Sequence, residues 1–257
     1  MISVKKNAPS GTIVLDRPAK RNAIDRQMLG LLAQALQDLH QEKIVRAVIL
    51  AASGPVFCSG IDLSEWQETS LSQNALEQRQ QDVVQLHEVL EQMLRFPKPI
   101  IAAVDGAAMG FGLSLVLACD LVVASGRSTF ATASAKLGLV SGFSAPLLAF
   151  RLGASTASRL LLGQAELDSE EARQLGLVHH VVKGGQIWVR AHQWAQEIAT
   201  GAPEAMQLTK RLLNEMVGES VSVWLASGAQ AMAASCTTEA ATEGLKSFST
   251  KSGKRED

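Results

Sequence analysis

Two hydrophobic periods organise the chain. Short apolar runs or alternations mark Gly11-Thr12-Ile13-Val14-Leu15, Arg46 to Ala51, Ile100 to Val104 and Leu121-Val122-Val123 as strands. A helical period marks Asp25 to His40, where Met28, Leu32, Ala35, Leu36 and Leu39 share a face. It also marks Asn74 to Arg95, where Val83, Leu86, Leu90 and Leu94 do so. Pro97 and Pro99 end the second helix. An apolar helix is expected from about Gly110 to Ala118. Beyond Phe130 the chain reads as turns and short helices, one with Asp168 as N-cap, Glu171 in the capping-box position and Gly176 as C-cap. Past Gln186 the pattern predicts helices over Trp188 to Thr200, Pro203 to Val217, Val221 to Ala234 and Thr238 to Phe248. Strands therefore come first and helices last, so residues 1–185 read as a layered α/β core and residues 186–257 as a helical region.

Composition narrows the chemistry. The 257 residues are 47% hydrophobic and 19% charged, with 24 basic against 25 acidic side chains, which argues against disorder and against a generally basic nucleic-acid surface. Lysines and arginines are dispersed apart from Lys251, Lys254 and Arg255 near the end. The three cysteines, Cys58, Cys119 and Cys236, form neither a metal pair nor a disulfide framework, so a reducing cytoplasm is the expected compartment. The apolar stretch from Gly106 to Cys119 is shorter than the ~18–20 residues a membrane-spanning helix needs, and Ser220 to Thr238 suits a protein interface better than lipid. Tyrosine is absent altogether, which removes any mechanism that uses a phenol as acid, base or donor.

Two glycine-rich loops are the candidate chemistry. In Gly54-Pro55-Val56-Phe57-Cys58-Ser59-Gly60-Ile61-Asp62-Leu63 small residues let backbone amides approach a ligand. In Asp105-Gly106-Ala107-Ala108-Met109-Gly110-Phe111-Gly112 a turn feeds an apolar helix whose first N–H groups suit an oxyanion or phosphate. Gly110-Phe111-Gly112 lacks the third glycine and the distant acid of a dinucleotide site, because Leu115 and Asp120 stand there. The five histidines show no metal-ligand spacing.

The chain resembles the crotonase superfamily, the enoyl-CoA hydratase and isomerase group. Leu15-Asp16-Arg17-Pro18-Ala19-Lys20-Arg21-Asn22-Ala23-Ile24 is similar to its first motif, and Phe57-Cys58-Ser59-Gly60-Ile61-Asp62-Leu63 to its first oxyanion loop. The run from Pro99 to Cys119-Asp120 is similar to the second loop and its helix. Glu171 to Val178 and Gly244-Leu245-Lys246-Ser247-Phe248 fit later segments in the correct order. The resemblance implies an α/β spiral of ββα turns with a C-terminal helical region that assembles a homotrimer or a homohexamer. It implies an acyl-CoA substrate, with coenzyme A part of that substrate and no separate cofactor. It further implies an oxyanion hole built from the backbone N–H groups of Ile61 and Phe111. Lys20, Arg21, Ala23, Ser59, Ile61, Asp62, Leu63, Ser64, Lys246 and Phe248 become candidate contacts for substrate or coenzyme A.

The departures from the family concern proton transfer. Ser114 and Ser134 stand where its hydratases carry two glutamates, and Ser141-Gly142-Phe143 where isomerase branches carry an acid. A serine hydroxyl can hydrogen-bond water or an acyl group but has no useful basicity near neutral pH. Ser114 is equally readable as a satisfied buried hydroxyl. Among carboxylates, Glu65 or Glu68 is the preferred candidate, though neither is assigned a catalytic role; Asp62 is equally readable as bracing its turn or meeting substrate, and Asp105 and Asp120 as tying down backbone groups. Isomerisation, decarboxylation and thioester hydrolysis all stay open beside hydration, as does acyl-CoA binding without turnover. No nucleic acid or membrane partner is expected.

Overall fold

The computed structural model describes residues 1–69, 74–132 and 134–253, and side chains throughout these except at 68–69, 75, 215–219 and 248–253. Strand β1 (Ile2–Asn7) pairs antiparallel with β2 (Ser10–Leu15), and β3 (Ala47–Ala52), β4 (Ile100–Val104), β6 (Leu121–Ser125) and β9 (His180–Val182) follow in parallel, giving a six-stranded sheet ordered β1-β2-β3-β4-β6-β9. A second sheet of three short strands joins β5 (Ala107–Met109), β7 (Thr129–Ala131) and β8 (Leu167–Asp168) in the order β5-β7-β8. Central strands β3 and β4 are apolar on both faces because helices cover both.

Helices α1 (Arg26–Gln41), α3 (Ala75–Arg95) and α4 (Phe111–Ala118) close one face, burying Met28, Leu32, Leu36, Leu39, Leu86, Leu90 and Leu117 against Val48, Leu50 and Val104. Asp25 caps α1, its Oδ1 accepting from the Met28 N–H at 2.7 Å. On the opposite face α7 (Ile187–Ala199) lays Ile187, Ala191 and Ala195 over Ala47, Ile49, Ile101, Ala103 and Val123. Between these come α2 (Leu63–Thr69), α5 (Ser144–Leu161) and α6 (Ser169–Gln174), and the chain ends in α8 (Pro203–Ser235) and α9 (Glu239–Gly253). No helix among the described residues is long and apolar enough to cross a membrane.

Most sequence-predicted elements stand within a residue or two of their expected places, with three differences. Strand β1 carries exposed Lys5 and Lys6 at a sheet edge, a polar signature that hides it. Within α5 two short helices meet at Gly153, whose φ of 80° and ψ of 158° are not helical, in keeping with the short helices expected beyond Phe130. The two helices expected over Pro203 to Ala234 are one continuous α8. Asp168 caps α6 through the N–H groups of Glu170 and Glu171, but the Glu171 carboxylate pairs with Arg159 rather than closing a capping box.

Candidate active site

Three segments distant in sequence meet edge to edge. The Ile24 N–H donates to Gly60 O (2.8 Å), the Asp62 N–H donates to Ile24 O (2.9 Å), and the Ser59 N–H donates to Arg21 O (3.0 Å). On the other side the Cys58 N–H donates to Ala107 O (3.1 Å) and the Met109 N–H to Cys58 O (2.9 Å). The loop after β3 is thus held between the first motif and the loop feeding α4. Gly60, at φ 106°, is required there: a Cβ would lie 3.1 Å from Met109 O and 3.5 Å from the Phe111 nitrogen.

Beside this junction lies a cavity of about 80 Å³ lined by Ser59, Gly60, Ile61, Gly110, Phe111 and Ser114 on one side and by the segment 137–144 on the other. Among the described residues no acceptor takes the backbone N–H of Ile61 or of Phe111, and both residues line the cavity. Phe111 opens α4, so its N–H is one of the helix's unpaired N-terminal donors. Its ring packs edge to face on Phe143, centroids 5.8 Å apart. The far wall rests on the C-terminal helices: Met232 of α8 lines the cavity, and Gly142 meets Gly228 of α8 so closely that a Cβ on either would lie within about 2 Å of the other's carbonyl oxygen.

The polar side chains of this lining are hydroxyls. Ser114 and Ser144 share a 2.9 Å hydrogen bond, and each also reaches Gly110 O, at 3.4 and 3.3 Å. Ser134 donates to Thr132 O at 3.1 Å. Among the described lining residues none is ionisable. Burial pushes the nearby Cys58 thiol up to about 12, opposed by its contact with Gly60, so it stays a protonated core residue.

Charge is concentrated one layer behind. Arg17 Nη1 donates to Asp62 Oδ2 (2.6 Å) and to Ala23 O (3.1 Å), and Arg17 Nη2 lies 3.3 Å from Asp25 Oδ2. Asp62 Oδ1 accepts from the Ser64 N–H at 3.0 Å. Burial pushes Asp62 up, but the Arg17 hydrogen bond and charge with the N–H groups of Ser64 and Glu65 outweigh it, holding the carboxyl below its usual range. A second set joins α1, α2 and α3: Arg26 clamps Asp82 through Nε (2.6 Å) and Nη2 (2.7 Å) and lies 3.3 Å from Glu65 Oε1. Burial raises the Glu65 pKa, partly opposed by Arg26.

The structure therefore separates the candidate residues. Ser59, Ile61, Leu63, Phe111, Ser114 and Ser134 line one cavity, and Ser114 is both a lining residue and a satisfied buried hydroxyl. Asp62 is behind it, where its contacts with Arg17 and the Ser64 N–H brace the loop, one of its two readings. Glu65 does not take the place of a cavity acid: the Arg26 N–H donates to its Oε2 at 3.1 Å, beside Trp66 and Asp82. Lys20, Arg21 and Ser64 are exposed, Ala23 is buried, and Lys246 is exposed on α9. Phe248 and Lys251 lie on α9, but their side chains, like that of Glu68 on α2, are outside the described set, as are residues Lys254 and Arg255 entirely. Asp120 ties down the Ile100 N–H (2.7 Å) and pairs with Lys210 (2.7 Å). Asp105 instead clamps Arg127 bidentately at 2.7 Å, a correction to its expected backbone role. Ser144 and Met232 escape sequence reading, because only tertiary packing brings them to Ser114 and Phe143. Among the described residues no cluster of three or more His, Cys, Asp or Glu is placed to hold a metal ion.

Comparison with known proteins agrees over nearly the whole length. Residues 6–255 match the enoyl-CoA hydratase/isomerase family. An enoyl-CoA isomerase/hydratase of Mycosarcoma maydis is 36% identical over 79% of this chain and 76% of its own. The mitochondrial methylglutaconyl-CoA hydratase of Mus musculus is 30% identical over 94% of this chain and 78% of its own. The crystal structure of an enoyl-CoA hydratase/isomerase from Mycobacterium paratuberculosis superposes with a TM-score of 0.88 at 26% identity, covering 96% of this chain and 97% of that one. The α/β architecture with its helical C-terminal region is the crotonase fold, and the chain belongs to the enoyl-CoA hydratase/isomerase family.

Proposed function

We propose that this protein binds an acyl-CoA thioester and polarises its carbonyl between the backbone N–H groups of Ile61 and Phe111, stabilising an enolate. The observation that carries this reading is that two N–H groups without an acceptor among the described residues line the same small cavity. Preorganised backbone donors cost no reorganisation during reaction, and one such donor is worth ~10²–10³ in rate. Coenzyme A enters as part of the substrate, with no separate cofactor. Lys20, Arg21 and Lys246 are exposed basic groups suited to its phosphates, and Ala23, Ser59, Leu63 and Ser64 belong to the same proposed binding surface. The exposed Leu208, Leu212, Val223 and Trp224 of α8 suit burial in a homotrimer or homohexamer, and the proposed compartment is cytoplasmic.

Two-glutamate hydration does not suit this cavity, since Ser114 and Ser134 stand at the acid positions and no described lining residue is ionisable. Decarboxylation of an α-carboxyacyl thioester, of the malonyl type, is the second reading that this favours. Loss of CO₂ leaves the electron pair of the broken C–C bond on the α-carbon as the enolate, and no base has to remove a proton. Calorimetric titration with butyryl-CoA, followed by turnover assays with crotonyl-CoA and malonyl-CoA, separates the readings. Binding with slow crotonyl-CoA hydration is expected. Absence of acyl-CoA binding overturns the proposal, while rapid hydration lost on changing one acid overturns the statement that the cavity lacks a base. Thioester hydrolysis, or binding with no turnover of any thioester, is the remaining outcome and removes the enolate step.

A further inference from the structure

The peptide that presents the Ile61 N–H is held through Ile24 and through Asp62, and one side chain ties Asp62 to the residues on either side of Ile24. Gly60 O and the Asp62 N–H, the groups flanking Ile61, both bond to Ile24. The Asp62 side chain bonds to Arg17, and the same guanidinium bonds to Ala23 O and lies beside Asp25, which caps α1. The Arg17 backbone is itself fixed, because its N–H donates to Asn22 Oδ1 (2.8 Å) while Asn22 Nδ2 donates to Ser53 O and Val56 O (both 2.8 Å) at the start of the loop after β3. Asn22 is fully buried, and Asp62 is only 7% exposed. A carboxylate and a guanidinium held this way form a rigid, charge-assisted fork.

We infer that Arg17 is a positioning residue for the Ile61 donor, setting its direction through Asp62 and Ala23 without touching substrate. This rests on the reading of Ile61 as a carbonyl-binding donor. Donor direction matters because hydrogen bonds weaken steeply off axis, and an oxyanion donor misaimed by a fraction of an ångström loses its differential stabilisation. The neighbouring Arg26 fork is a built-in control: it is bidentate to Asp82 of α3 and lies 3.3 Å from Glu65 of α2, so it ties helices together.

The test is vibrational. Butyryl-CoA labelled with ¹³C at the thioester carbonyl is bound to the full-length protein, and the lowering of its C=O stretch is read by difference infrared spectroscopy. The wild-type protein is expected to lower it; Arg17→Met and the isosteric Asp62→Asn are expected to lose about half or more of that lowering, with affinity changed less than about threefold. Arg17→Lys, which keeps the charge but not the fork, is expected to fall between, and Arg26→Met to keep the full shift even if its melting temperature falls. A full shift in Arg17→Met or Asp62→Asn overturns the inference, as does an equal loss in Arg26→Met, which would report general loosening. No shift in the wild type overturns the carbonyl-binding reading itself, a failure distinct from the others. Should Arg17→Met not fold, Asp62→Asn carries the same decision.

Discussion

The cavity and the layer behind it are built from opposite chemistry. The cavity is lined by hydroxyls, backbone N–H groups and apolar side chains, and its described lining carries no ionisable group. A few ångströms back, Arg17, Asp25 and Asp62 form one ion-paired set, and Arg26, Glu65 and Asp82 another. The difference teaches where this protein places its charge: on fixing the loops and helices around the cavity, and not on its described lining. A dipole aimed from a rigid frame needs no protonation state, whereas a carboxylate in the cavity would bring its own titration and desolvation.

The largest effect is expected where the two regions touch. Gly60→Ala places a methyl group against Met109 O and the Phe111 nitrogen at a positive φ, so acyl-CoA turnover should fall by ~10²-fold or more while far-UV circular dichroism stays native. Near-normal turnover in steady-state assays would break the claim that the cavity lies at this junction. Next comes the supporting layer. Asp82→Ala strips both hydrogen bonds from the Arg26 fork and should cost ~2–3 kcal/mol by urea denaturation, at the low end for a buried pair because Arg26 keeps part of its solvent. Ser114→Ala should cost less, ~1 kcal/mol, since Ser144 retains Gly110 O as an acceptor. A stability loss as large as that of Asp82→Ala would mean the hydroxyl cluster is a structural network like the ion pairs.

The smallest effect is in pH dependence, and its sign differs between neighbours. Asp62 has a lowered folded pKa, so its contribution is present above the unfolded value of ~3.9 and is lost as pH falls through the folded one. Glu65 has a raised folded pKa, so its contribution is present below the unfolded value of ~4.3 and is lost as pH rises through the folded one. Asp62→Asn should therefore flatten the acid limb of a stability-pH curve from chemical denaturation, and Glu65→Gln should flatten the loss above it. Curves that respond alike would show that the two carboxylates belong to one network.

Legibility from sequence followed the range of the contacts. Helices α1, α3 and α4 and strands β2, β3, β4 and β6 announce themselves because their apolar periods match the faces they bury. Strand β1 did not, being an edge strand with lysines outward. At the site, the glycine loops were legible since backbone approach demands small residues, and the serines at 114 and 134 could be placed by motif. Whether Glu65 faces the cavity was not legible, because a carboxylate's place depends on its partner. That partner, Arg26, is 39 residues away in sequence.

By itself the sequence determined the α/β order, the two glycine-rich loops and the family, all of which are local or follow from the order of motifs. Tertiary structure alone decided that Ile24 and Ala107 grip the same loop, that Ser144 and Met232 complete the cavity, and that the charges sit behind it. The reason is geometric: a hydrogen bond to Ile61's neighbours or a glycine contact between residues 142 and 228 leaves no periodic trace along the chain. Such contacts exist only once the sheet and helices have brought distant segments within bonding distance.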